Sequence, residues 1–86
     1  MKITADQLFK IRKVYRLTQT DIGALCDVSD AFINQIEHNK RSITDKVCAG
    51  ITRELNLTPT KLQQIIDIYE KFDIKSEQPE QEQEIS

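Results

Sequence analysis

The chain of 86 residues carries 12 Lys and Arg against 14 Asp and Glu, with 38% hydrophobic residues, two glycines, two prolines and no tryptophan. This length holds one small domain and excludes a multidomain enzyme, and the scarcity of turn-forming residues disfavours β-structure. The net charge of −2, which taken whole argues against a nucleic-acid partner, is unevenly placed: residues 1–75 hold all twelve bases and ten acids, a net +2, whereas residues 76–86 hold Glu77, Glu80, Glu82 and Glu84 with no base.

The elements follow in order. Thr4 with Gln7 is a capping-box pattern, and Leu8, Ile11 and Tyr15 recur at helical spacing, so a first helix is predicted over about 5–16, its apolar face widened by Phe9 and Val14. Thr18 caps a short second helix from Gln19 to about Cys26, with Ile22, Leu25 and Cys26 inward. Asp27-Val28 breaks it, and Ser29 caps a third helix over 30–38 that turns Ile33 and Ile36 inward and Asn34 and Gln35 outward. Asn39-Lys40-Arg41-Ser42 then forms a basic loop, and Ile43 returns the chain to the core. Thr44 caps a fourth helix carrying Val47, Cys48, Ile51 and Leu55, with Asn56 as its stop. Thr58-Pro59 opens a fifth helix to about residue 73, bearing Leu62, Ile65, Ile66, Tyr69 and Phe72. Beyond Lys75 every residue except Ile85 is polar or proline, which predicts a disordered acidic tail over 76–86. The expected fold is all-α: a compact five-helix domain over 1–75 followed by that tail.

The longest apolar stretch, Val47-Cys48-Ala49-Gly50-Ile51, falls far short of the ~20 residues that span a bilayer, and the first residues lack a signal peptide's apolar segment. A cytoplasmic protein without membrane association is expected, with Cys26 and Cys48 as reduced core thiols. Only His38 joins them as a soft ligand, short of the about four a zinc site takes, so neither metal nor cofactor is expected. One histidine and no clustered carboxylates leave nothing to carry acid–base catalysis, so no enzyme is expected.

The segment from Gln19 to His38 has the length of a helix-turn-helix. Ile22, Leu25, Val28, Ile33 and Ile36 would pack its two helices together and leave Asp30, Ala31, Asn34 and Gln35 outward. Asn and Gln are the side chains that bond adenine bidentately in the major groove. Around them stand groups suited to phosphate: the hydroxyls of Thr18 and Ser29, the amide of Gln19, the helix N-termini, and Lys40-Arg41.

On these residues the chain resembles the phage-repressor/Cro-type (Xre family) helix-turn-helix domain. The resemblance covers roughly residues 6–66 through Leu8, Ile11, Arg12, Leu17-Thr18-Gln19, Ile22, Val28-Ser29, Ile33, Ile36-Glu37, Asn39-Lys40-Arg41 and Leu55-Asn56-Leu57. It implies a lambda-repressor-like five-helix bundle whose third helix enters the major groove of a double-stranded operator, in a homodimer that regulates transcription. By position it assigns base reading to Asp30, Ala31, Asn34 and Gln35, phosphate contacts to Thr18, Gln19, Ser29, Asn39, Lys40 and Arg41, and a structural ion pair to Arg12 and Glu37. The family often has Gly where this chain has Arg16, Asp27 and Asn39; Asp and Asn tolerate a left-handed backbone. Gly23 stands where Ala is favoured, at a cost of about 1 kcal/mol in helix propensity. Asp30 suits the helix dipole and can accept from cytosine N4, yet it opposes nearby phosphates.

Other residues carry plainer readings. Arg12 and Glu37, if exposed, would contribute little stability, and Lys10, Lys13, Asp6 and Asp21 read as solvated surface. Phe32 either touches a thymine methyl or packs under the basic loop, the second being preferred. The apolar arc of helix five is about 160° wide, against the ~100° that docking to one core requires. Its excess edge, Ile68 and Phe72, reads as a self-association surface, unless Phe72 folds back on its own domain. Two functions fit: a sequence-specific regulator, most simply a small repressor of phage or mobile-element type, or a protein-interaction module on the same fold, an antirepressor, antitoxin or co-regulator. The second would bind a regulatory protein partner through helix five or the acidic tail. The tail has a further reading as a competitor for phosphate that lies over Arg16, Lys40 and Arg41.

Overall fold

The computed structural model describes residues 1–72. They form five helices: α1 (Ala5–Tyr15), α2 (Gln19–Cys26), α3 (Asp30–Glu37), α4 (Asp45–Glu54) and α5 (Pro59–Lys71), with no strand among the described residues. The acidic segment 76–86 lies outside the described residues, and with it the expectations placed on it.

Each helix starts on a hydroxyl. Thr4, Thr18, Ser29, Thr44 and Thr58 are extended at the N-cap, and their side chains accept from the backbone N–H three residues on, satisfying a donor that the helix itself leaves without a partner. Thr4 with Gln7, and Thr18 with Asp21, complete capping boxes. The acceptance of Thr18 N–H by the Asp21 carboxylate, at 2.9 Å, holds the Asp21 pKa below its ordinary value. Asp21, read from sequence as plain surface, is therefore part of the helix start.

The ends of α1 to α4 share a second device. Arg16, Asp27, Asn39 and Asn56 all take positive φ, between 52° and 59°. In each case the next N–H bonds back five residues: Leu17 to Arg12, Val28 to Gly23, Lys40 to Gln35 and Leu57 to Thr52, at 2.8–2.9 Å. These are Schellman closures, which normally place an apolar residue after the left-handed one. Leu17, Val28 and Leu57 obey and pack on the core. After α3 the position is Lys40, which is exposed, so the same turn that elsewhere seals the core here puts a cation in solvent.

The core joins Ile3, Leu8, Ile11, Ile22, Cys26, Ile33, Ile36, Val47, Cys48, Ile51, Leu57, Leu62 and Ile65, each large aliphatic side chain contributing about 1.5–3 kcal/mol by burial. Ile3 was not among the residues expected inside; its carbonyl accepts from the Cys48 thiol at 3.5 Å. Conversely Tyr15, expected on the inner face of α1, ends the helix 37% exposed. Both cysteines are buried and unpaired, and burial pushes the Cys26 thiol above its ordinary pKa.

Packing joins α2 to α3 and to α4, and α1 to α5 and α3. At the α2–α4 crossing a Cβ on Gly50 would stand 3.0 Å from the Cys26 sulfur and 3.1 Å from its Cα, so the absent side chain sets the approach. Gly23 has a similar reason to be there. A Cβ at that position would lie 2.6 Å from the Val28 carbonyl oxygen, so in this turn the glycine relieves a clash that an alanine would create. Lys10, expected in solvent, instead connects α1 to α5: its side chain is 19% exposed and reaches Asp6 at 2.9 Å and Glu70 at 3.0 Å. Its ammonium also lies 5.7 Å from the Tyr69 ring, which meets Phe9 edge-on at 6.3 Å.

Candidate nucleic-acid interface

The α2–α3 unit presents one continuous outer face. Because Ile33 and Ile36 are fully buried, the helical period turns Asp30, Ala31, Asn34 and Gln35 outward, and all four are exposed. Together with Gln19 from the start of α2 they line a shallow groove of about 340 Å³.

Side-chain contacts order this face. The Thr20 hydroxyl donates to Asp30 Oδ2 at 3.3 Å, Asn34 Nδ2 donates to Gln19 Oε1 at 3.3 Å, and Arg41 Nε donates to Gln35 Oε1 at 3.0 Å. The Arg41 guanidinium also lies 5.1 Å from the centre of the Phe32 ring. Phe32 is partly buried against the core, so it packs beneath the basic loop. The arginine is thereby held from two sides, by Gln35 and by the Phe32 ring. His38 Nδ1 lies 2.8 Å from the Asn34 carbonyl; since a carbonyl only accepts, the Nδ1 hydrogen lies between them.

The residues assigned to phosphate surround the groove. Thr18 and Ser29 sit at the N-termini of α2 and α3, where their oxygens accept from Asp21 and Phe32 N–H. Asn39, Lys40 and Arg41 follow the end of α3, all exposed. Gln19 is only half-exposed, because its Nε2 turns inward to donate to Glu37 Oε1 at 3.0 Å.

Behind the groove lies the Arg12–Glu37 pair. Arg12 Nε and Nη2 donate to Glu37 Oε2 and Oε1 at 2.8 and 2.9 Å, and Nη1 donates to the Leu17 carbonyl at 3.1 Å. The two side chains are 14% and 4% exposed, so the small contribution expected of a solvent-exposed pair does not apply. The pair fastens the end of α3 to α1. Thr20 is the member of this face that the sequence reading missed; its distance of 10 residues from Asp30 gives no local pattern, and only the α2–α3 angle brings them together.

Ile68 and Phe72 belong to a different region. Ile68 lies on α5, which packs chiefly on α1, and Phe72 caps the end of that helix; they are 40% and 66% exposed, and Phe72 does not fold back. Among the described residues no helix is long and apolar enough to cross a membrane, and no group of three or more His, Cys, Asp or Glu is placed to hold a metal ion.

The fold and this face define a helix-turn-helix domain with an exposed polar third helix. A helix-turn-helix family model, HTH_3, matches residues 8–62, from the middle of α1 into α5. The chain belongs to this family, in its Xre, lambda-repressor-like form, and as a class it is a DNA-binding regulator. No match was found among curated proteins or among solved structures.

Proposed function

We propose that the protein is a sequence-specific transcriptional regulator, a small repressor of phage or mobile-element type, that inserts α3 into the major groove of its operator. The observation that carries this reading is the groove lined by Gln19, Asp30, Ala31, Asn34 and Gln35, bordered by two capped helix N-termini and by Lys40 and Arg41. In it, Asp30, Ala31, Asn34 and Gln35 meet base edges, with acceptor, methyl and amide chemistry that distinguishes base pairs. Thr18, Gln19, Ser29, Asn39, Lys40 and Arg41 hold phosphates, which position the helix without reading sequence. Residues 1–75 act as the DNA-binding unit and 76–86 as an acidic appendage. A DNA-binding regulator works inside the cell, and on this reading the compartment is the cytoplasm.

The exposed Ile68 and Phe72 support self-association into a homodimer with two recognition helices about one DNA turn, ~34 Å, apart. The same apolar edge is what favours the second reading, a protein-interaction module on this fold with a regulatory protein as partner.

Binding to duplex DNA selected from a random pool distinguishes the two. The regulator reading expects a preferred, two-fold symmetric sequence. Lys40→Ala should weaken binding to all sequences and reduce the salt slope by about 1, while Asn34→Ala should relax preference at one base pair per half-site. Selection of no sequence at low salt would favour the interaction module.

A further inference from the structure

The inference rests on the DNA-reading face proposed above and concerns how one of its side chains is oriented. Glu37 is almost wholly enclosed, 4% exposed, and its carboxylate is occupied by Arg12 Nε and Nη2. Gln19 Nε2 brings a third donor to Oε1 at 3.0 Å. An ionised carboxylate only accepts hydrogen bonds, so the Gln19 amide has one permissible orientation there: nitrogen towards Glu37, oxygen away from it. That oxygen lies 3.3 Å from Asn34 Nδ2. Because an amide oxygen also only accepts, Asn34 must in turn present its nitrogen to Gln19.

A buried ion pair thus determines the orientation of two amides, the second of them exposed on the reading helix. Asparagine reads adenine by accepting from N6 through Oδ1 while donating to N7 through Nδ2. With one Nδ2 hydrogen engaged by Gln19, the other hydrogen and Oδ1 remain for the base, the donor–acceptor pair that adenine requires. We infer that Gln19 is a positioning residue for base recognition: anchored by Glu37 and Arg12, it holds the Asn34 amide in the orientation that selects adenine. This goes beyond a phosphate contact at Gln19, whose consequence would be the same for every sequence.

The test uses the full chain and the variants Gln19→Met, which keeps the length of the side chain without its hydrogen bonds, and Gln19→Ala. In the free protein the Asn34 side-chain amide is followed by ¹H–¹⁵N NMR. On DNA, affinities are measured at one salt concentration for the selected operator and for duplexes changed at the base pair that Asn34→Ala relaxes. The expected result is a shifted, faster-exchanging Asn34 amide in both variants, which keep the wild-type fold by the remaining ¹H–¹⁵N spectrum while the lost bond to Glu37 lowers Tm. Preference for adenine at that one position should fall about tenfold, within the range for one bidentate contact, with the other positions unaffected. Gln19→Met combined with Asn34→Ala should lose no more preference than Asn34→Ala alone. A selected operator with a uniform loss over all duplexes in Gln19→Met, or an unmoved Asn34 amide, would overturn the positioning role alone. Selection of no sequence by the wild-type protein would overturn the DNA reading and the role with it.

Discussion

The guanidinium of Arg12 and the carboxylate of Glu37 meet edge to edge, through two hydrogen bonds of 2.8 and 2.9 Å, beneath the surface that the third helix presents. The third arm of the guanidinium bonds the Leu17 carbonyl, so one side chain joins α1, the turn after it, and the end of α3. Removing either partner leaves an enclosed charge without its mate. Arg12→Ala or Glu37→Ala should therefore cost about 3–5 kcal/mol, read as a lower urea midpoint. A loss below ~1 kcal/mol would show that the pair behaves as a solvent-exposed one.

Arg16 ends α1 at φ 59°, a conformation that costs a residue with a Cβ about 1–2 kcal/mol. Glycine removes that strain at a smaller entropic cost, so Arg16→Gly should stabilise the fold by about 0.5–1 kcal/mol. Asn39→Gly should change it less, since Asn tolerates this backbone. Equilibrium denaturation of the two variants checks the order.

At Gly50 the neighbour is the Cys26 backbone and sulfur, 3.0–3.3 Å from where a Cβ would stand. A flexible surface side chain would move aside; a helix in the core does not. Gly50→Val should push α2 from α4 and destabilise by about 2 kcal/mol, and a variant with an unchanged denaturation midpoint would contradict that packing.

The pH dependence has two limbs. Thr18 N–H lowers the Asp21 pKa in the folded state, so Asp21 contributes stability that is present above its unfolded value, about 3.9, and is lost as pH falls through the folded one. Lys10 goes the other way: hydrogen bonds to Asp6 and Glu70 raise its pKa. Its contribution is complete below the unfolded value of about 10.4 and is lost as pH rises through the folded one. Asp21→Asn should flatten the acid limb of a stability–pH curve, and Lys10→Met the alkaline limb.

If Ile68 and Phe72 form a dimer contact, Phe72→Glu should hold the protein monomeric in sedimentation experiments at concentrations where the wild type associates. Operator affinity should fall with it, while Tm measured at dilution stays the same, because Phe72 is 66% exposed and contributes little to the monomer core.

What could be read from the chain alone was local. Thr18 accepts from Asp21 N–H three residues on, Leu8 and Ile11 share a face, and Asn56 takes the left-handed turn, each relation lying within about one helical turn of sequence. Such relations determined the five helices, most of the core, and the outward placement of Asn34 and Gln35. Tertiary structure decided the rest. Lys10 meets Glu70, and Gln19 joins Glu37 to Asn34, across separations of 60, 18 and 15 residues, and the Arg12–Glu37 pair that the family resemblance implied is enclosed. No periodicity reports how enclosed such a pair is. The strength of a charge pair depends on the water excluded around it, and the orientation of an amide depends on which of its neighbours can only accept. Both are properties of packed helices, and they turn a polar helix face into one with a defined donor–acceptor pattern.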